Sequence, residues 1–185
     1  MTAAAGSPRY GVATNFSGSN GFTYDHFVTS DSKLNECTFS VWIKRTYTDT
    51  SSNKYIFSGP IEVYLYTTFV VQTSWNAQQA GSETYSSNAW RTTGTVPLNE
   101  WTHIVLTFKN GTFMCYINGS YKGRSSRAPF IRGYRGSGSV GSSFIGGISD
   151  LRFYMTALSA TEVKELYDSS MIVDSNGNMT PRGVS

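Results

Sequence analysis

The sequence predicts an all-β fold closed by one short C-terminal helix. Three observations carry that prediction: a composition suited to strands and turns, a hairpin whose turn and hydrophobic pattern agree, and a single helix-start signal late in the chain. Of the 185 residues, 15% are aromatic and only 15% are charged. Aromatic and β-branched side chains fit a half-buried pleated surface, while Gly, Asn and Ser supply turns. The usual residues of exposed helices are sparse. Apolar types make up 39%. A chain of this length buries roughly 70% of its unfolded surface, so a single domain can stand without metals or disulfides.

Residues 1–9 read as an irregular polar arm. Strand signals begin at Tyr10–Phe16 and, after a Gly/Ser/Asn turn at Ser17–Gly21, continue through Phe22–Val28. Cys37–Lys44 alternates strictly: Cys37, Phe39, Val41 and Ile43 share one face, and Thr38, Ser40, Trp42 and Lys44 the other. Tyr55–Phe57 is a short strand and Ile61–Val71 a β-rich run, while Gln72–Gly94 gives no clear pattern.

Trp101–Gly119 is the most informative segment. Asn110-Gly111 is a two-residue type I′ turn signal. That turn pairs Lys109 with Thr112, Phe108 with Phe113, Leu106 with Cys115 and Ile104 with Ile117. The last three pairs are apolar and share one face, so turn and pattern agree independently. The opposite face carries Thr107, Met114, Val105, Tyr116, His103 and Asn118, and reads as the polar side. Asn118-Gly119 repeats the turn signal and extends the hairpin to a three-stranded meander. Lys122–Gly141 reads as a long Gly/Ser/Arg-rich connection, and Phe144–Tyr154 as the last major strand. Ser159-Ala-Thr-Glu162 is a capping box that opens the helix, with Val163, Leu166 and Tyr167 on one stripe. Beyond Asp168 the chain reads as loop apart from Met171–Val173. The expected organisation is an arm (1–9), one β-sandwich domain (10–173) and a tail (174–185).

The series Phe39-Ser-Val-Trp-Ile-Lys44, Trp101-Thr-His-Ile-Val-Leu-Thr107, Asn110–Gly119, Phe144–Tyr154 and Leu158–Tyr167 resembles the laminin-G-like, concanavalin-A-like jelly-roll family over roughly residues 12–168. The resemblance implies a two-sheet antiparallel jelly-roll sandwich, one sheet convex and one concave. Members of that family bind glycans, proteins or calcium, or act as spacers, and the fold alone does not choose among these.

Several chemistries are poorly supported. A net charge of +3 is too mild to argue for nucleic acid or a membrane surface, and no apolar run reaches the length of a bilayer span. Glycoside hydrolysis needs two carboxylates facing each other across the bond, yet Glu36, Glu62, Glu83, Glu100, Glu162 and Glu165 form no such pair on any strand. The two histidines, His26 and His103, accompany no Gly-x-Ser-x-Gly elbow. No zinc ligand spacing surrounds Cys37 and Cys115. Counting alone leaves one disulfide open, but the hairpin register makes Cys115 a core residue, and two buried free thiols are expected. Calcium, which the family resemblance allows, would draw on Asp25, Asp31 and Asp150, although no Asp-x-Asp run is present. The expectation is a non-enzyme with no cofactor. Asp150 and Arg152, two apart on one strand, read as a structural charge pair.

Two residue sets stand above this background. Tyr64, Tyr66, Trp75, Tyr85 and Trp90 could offer aromatic surfaces to sugar rings or a protein partner, or serve as ordinary core. Lys122, Arg124, Arg127, Arg132 and Arg135 form a basic loop suited to an acidic partner surface, or a plain solvated loop. The chain starts at a Met, shows no secretion signal and no disulfide framework, and has polar ends. Those features lead to the expectation of a structural or attachment protein of a virion surface, a bacteriophage capsid decoration or a fibre or tail component. Such a protein would be made in the host cytoplasm and work with protein partners in a multi-subunit particle. The alternative expectation is a glycan-binding, lectin-like module of an adhesin, with host-surface glycans as its partners.

Overall fold

The computed structural model describes residues 14–19, 21–24, 33–59, 61–78, 85–126, 131–132, 138–173 and 175–182. Its elements in chain order are β1 (Thr14–Ser17), β2 (Phe22–Tyr24), β3 (Lys33–Leu34), β4 (Glu36–Arg45), β5 (Lys54–Ser58), β6 (Ile61–Leu65), β7 (Val70–Gln78) and β8 (Tyr85–Thr95). These are followed by β9 (Trp101–Lys109), β10 (Thr112–Ile117), β11 (Ser120–Ser126), β12 (Ile131–Arg132), β13 (Gly138–Val140), β14 (Ile145–Tyr154), α1 (Ala160–Ser170), β15 (Met171–Val173) and β16 (Met179–Pro181). Two six-stranded sheets form the sandwich. Sheet I has the order β1-β14-β4-β9-β10-β11 and sheet II the order β2-β13-β5-β6-β7-β8. Every pairing within them is antiparallel, so the expected all-β jelly-roll sandwich with one helix is the observed architecture.

The β9–β10 hairpin has the predicted register, with Phe108 opposite Phe113, Leu106 opposite Cys115 and Ile104 opposite Ile117. Asn110 and Gly111 both have positive φ, 46° and 84°, as a type I′ turn requires. The alternating residues of β4, β9 and β10 project inward and meet Ile56, Phe57, Ile61, Val63, Leu65 and Val71 of sheet II in one core. Cys37 and Cys115 are buried in that core as free thiols. Burial raises both, the Cys37 thiol to about 12.

The outward side of β4, β9 and β10 is not the solvated surface that its pattern predicts. Helix α1 lies over it. Val105, Tyr116 and Val163 form a second small core with Met114 and Leu158 against it. Beside this core the ring of Trp42 stacks on His103 (centroids 5.0 Å apart) and on Tyr167 (5.7 Å). The indole N–H of Trp42 donates to Ser170 Oγ at 3.0 Å. The capping box forms as predicted: Ser159 Oγ accepts from the Glu162 N–H, and Glu162 Oε2 accepts from the Ser159 N–H. Thr38 Oγ1 donates to Thr156 O and accepts from the Leu158 N–H, which pins the approach to the helix.

Three further expectations are corrected. The run Ile61–Val71 is two strands, because the chain reverses at Tyr66–Phe69, where the Phe69 N–H donates to Tyr66 O at 2.7 Å. Gln72–Gly94, unreadable in the sequence, supplies most of the β7–β8 pair. The connection Lys122–Gly141 is not one loop, for it contains β11, β12 and β13. In the tail, β16 pairs back on β15, so residues 179–181 lie against the domain. The expected arm, residues 1–9, lies outside the described residues.

Candidate functional site

With α1 on sheet I, the outer face of sheet II is the broad sheet surface that the described residues leave uncovered. Its residues follow from alternation. In β6 the side chains of Ile61, Val63 and Leu65 enter the core, which turns Glu62 and Tyr64 outward, with Tyr66 next in the same phase. β7 places Gln72 opposite Tyr64 and Ser74 opposite Glu62; β8 places Arg91 opposite Gln72. β5 adds Tyr55 opposite Tyr64.

These side chains form one connected network. The rings of Tyr55 and Tyr64 are 4.8 Å apart and tilted. Gln72 Nε2 donates to the Tyr64 hydroxyl at 2.5 Å, while Gln72 Oε1 accepts from Arg91 Nε at 2.8 Å. Arg91 can only donate, so it sets the orientation of the Gln72 amide. The Arg91 guanidinium carbon lies 3.5 Å from the centroid of the Tyr66 ring, a cation–π contact. Ser74 Oγ donates to Glu62 Oε2 at the other end of the face. Burial, reinforced by the Glu62 charge, holds Tyr55 and Tyr64 above the ordinary phenol range, so both remain neutral O–H groups. Tyr64 and Gln72, only 5% and 7% exposed, form the buried centre of the network; the half-buried Tyr55, Glu62 and Tyr66 and the exposed Arg91 surround them.

Of the aromatic residues singled out in the sequence, Tyr64 and Tyr66 belong to this network. Trp90 does not: it pairs with Thr73 and packs against the inter-sheet core. Trp75 and Tyr85 lie on β7 and β8, and their side chains are outside the described set. Tyr55, Glu62, Gln72 and Arg91 were not anticipated. The alternation of Ile61–Tyr66 carried a signal for Glu62. The basic set is also divided. Lys122, half-buried, and Arg124, exposed, lie on strand β11, and Arg132 lies on β12 opposite Lys33. Arg127 and Arg135 lie outside the described residues.

Two other constellations resolve into structural roles. Ser40 Oγ and His103 Nε2 are 2.9 Å apart, the spacing of a nucleophile and its base. Both residues are only 1% exposed beneath α1, and His103 Nδ1 has no partner. That burial closes the hydroxyl to a substrate, and among the described residues no acid orients the ring. Asp150 holds Arg152 through two bonds, Nε to Oδ1 at 2.6 Å and a terminal nitrogen to Oδ2 at 2.7 Å. This is the expected charge pair. Asp25, Asp31 and His26 lie outside the described residues. Among the described residues no three of His, Cys, Asp and Glu gather as metal ligands would.

A laminin-G sequence model, described as the concanavalin A-like lectin/glucanases superfamily, matches residues 16–164. The chain belongs to this superfamily. No curated protein matches it. Among solved structures, this superfamily member is similar to domain 4 of AbnA, a GH43 extracellular arabinanase from Geobacillus stearothermophilus, in complex with arabinotriose. The TM-score is 0.63 and the identity 25%, over 84% of this chain and 76% of that one. It shares its fold with the native heptameric SAP-like pentraxin from Limulus polyphemus (TM-score 0.56, 19% identity, 83% and 80% covered). It also shares the fold of the receptor binding domain of botulinum neurotoxin D (TM-score 0.64, 16% identity), covering 94% of this chain and half of that one.

Proposed function

We propose that this chain is a non-enzymatic saccharide-binding domain whose ligand lies on the outer face of sheet II. The carrying observation is the network of Tyr55, Tyr64, Tyr66, Gln72, Arg91 and Glu62 on the outer face of sheet II, which α1 does not cover. Sugar rings have apolar faces that pack on tyrosines, and hydroxyls that exchange hydrogen bonds with amides, carboxylates and guanidinium groups. The likeness to an arabinanase domain solved with arabinotriose supports this chemistry. Across the sheet from Glu62, β7 and β8 place Ser74 and Ala89 in register, so among the described residues no carboxylate faces it as hydrolysis would require.

The experiment is calorimetry of the full chain against a panel of oligosaccharides, with each mixture then analysed for cleavage products. Binding without products is expected. Tyr66→Ala should weaken it by up to about tenfold, the effect of losing an aromatic contact of about 0.5–1.5 kcal/mol, with the melting temperature little changed. Hydrolysis, or affinity indifferent to Tyr66, would contradict the proposal.

The setting we propose is attachment at a virion surface, as a bacteriophage capsid decoration or a fibre or tail component among protein partners. Two free, buried thiols fit assembly in a reducing host cytoplasm. Lys122 and Arg124 on β11 supply a cationic edge for an acidic neighbour. Mass spectrometry of purified particles tests this setting, and a chain absent from them removes it.

A further inference from the structure

Arg91 has a feature that a generic sugar face does not require. The ion pairs among the described residues are Lys54–Asp49, Lys109–Glu36, Arg152–Asp150 and Lys164–Asp168, and none involves Arg91. The side chain is exposed yet not loosely held. Gln72 takes its Nε–H and the Tyr66 ring lies against its plane. A guanidinium fixed in this way presents its remaining N–H groups as a planar fork, the geometry that a carboxylate matches with two parallel bonds. Little ordering entropy is left to lose when such a ligand arrives.

The other end of the face has the opposite character. Glu62 carries a negative charge there and accepts from Ser74. An anion placed at that end meets repulsion, whereas a neutral hydroxyl can donate to the carboxylate. Glu62 and Arg91 are separated by two strand spacings and two residues along the strand, about 12 Å in an ordinary sheet. That is longer than one pyranose ring. Between them on β7 lie Ser74 and Gln72, with the Tyr64 ring next to Glu62 on β6 and Tyr55 on the far side of that strand.

We propose that this face binds an acidic oligosaccharide in one polarity, with a uronic-acid carboxylate on Arg91 and a neutral sugar residue hydrogen-bonded to Glu62. The inference deepens the saccharide reading above and rests on it. Gln72 and Tyr66 act as positioning residues for Arg91.

The test uses glucuronic acid linked to xylobiose, the same trisaccharide after carboxyl reduction, and a third form bearing a sulfate ester in place of the carboxylate. Each is titrated calorimetrically into the full chain at low and high salt. The acidic trisaccharide should bind at least about tenfold more tightly than the reduced one, a ratio worth about 1.4 kcal/mol, and should weaken with salt. Arg91→Gln should collapse that ratio toward unity. Lys109→Gln, which removes the same charge from the far end of sheet I, should leave it unchanged. The proposal is overturned if the reduced sugar binds as well as the acidic one, if the sulfate form alone is bound, or if Lys109→Gln collapses the ratio equally. The first two results leave saccharide binding standing. If no trisaccharide binds in any form, the reading of the face as a sugar site falls with the proposal.

Discussion

His103 lies 1% exposed in a cluster with the rings of Trp42 and Tyr167, with Ser40 on Nε2, nothing on Nδ1, and the charge of Arg152 acting on it. Burial first, and Arg152 second, push its pKa down to about 3. The ordinary imidazole value of about 6.5 applies in the unfolded chain, so the unfolded state binds the proton more readily. The neutral ring's contribution to stability is therefore full above about pH 6.5 and is lost as pH falls toward 3. The loss is about 1.4 kcal/mol for each pH unit in that window. Denaturant melts between pH 7 and 5, above most carboxylate titrations, should show this slope, and His103→Gln should flatten it. A wild-type slope no steeper than the variant's would contradict the buried, neutral assignment. At this scale the sequence was partly legible. Asp150 and Arg152 were readable as a pair because they sit two apart. The burial of His103 was not, because its covering helix comes some 60 residues later in the chain. Arg91 was silent for a similar reason: its partners Gln72 and Tyr66 belong to other parts of the sheet, and nothing in the sequence around Arg91 points to them.

Among the elements, the β9–β10 hairpin was fully readable. Its turn demands positive φ at two residues, and Asn-Gly is the pair that accepts it. Leu106 is 1% exposed in the inter-sheet core opposite Cys115, so Leu106→Ala should cost about 2–5 kcal/mol in denaturant unfolding through lost burial and a residual cavity. A change well under 1 kcal/mol would place Leu106 outside the core. The β6–β7 hairpin escaped because Tyr66-Thr-Thr-Phe69 contains no Gly, Pro, Asn or Asp. Its strain, a φ of 60° at Phe69, is held by tertiary contacts. Arg45 lies 3.9 Å from the Phe69 ring centroid, Tyr47 meets the ring edge-on, and the Val96 N–H donates to Phe69 O. Strand β11 escaped because its Gly/Ser/Arg composition is that of a loop. Pairing with β10 overrides it, with an irregularity beside Gly123, whose φ of 138° suits only glycine.

Across the whole molecule, the sandwich is asymmetric. The family motifs in β4, β9, β10, β14 and α1 concentrate in sheet I, the half that is covered and structural. They revealed the fold for that reason and said little about function. Sheet II carries the uncovered face, and its strands β6, β7 and β8 have the weaker patterns, since an outward surface of Tyr, Gln, Ser and Arg obeys no core periodicity. Of the five aromatics singled out in the sequence, Tyr64 and Tyr66 lie on the outer phase because they alternate with Val63 and Leu65, whereas Trp90 alternates into the core. The central claim is that saccharide recognition belongs to sheet II and not to the helix-covered sheet. Amide and arginine Nε–H chemical shifts of the labelled full chain, followed during titration with arabinotriose and with the glucuronic-acid trisaccharide, test it directly. The account predicts saturable shifts centred on Tyr64, Tyr66, Gln72 and Arg91, with α1 and the β9–β10 hairpin unmoved; shifts confined to α1 and β9–β10, or none at saturating sugar, would contradict it.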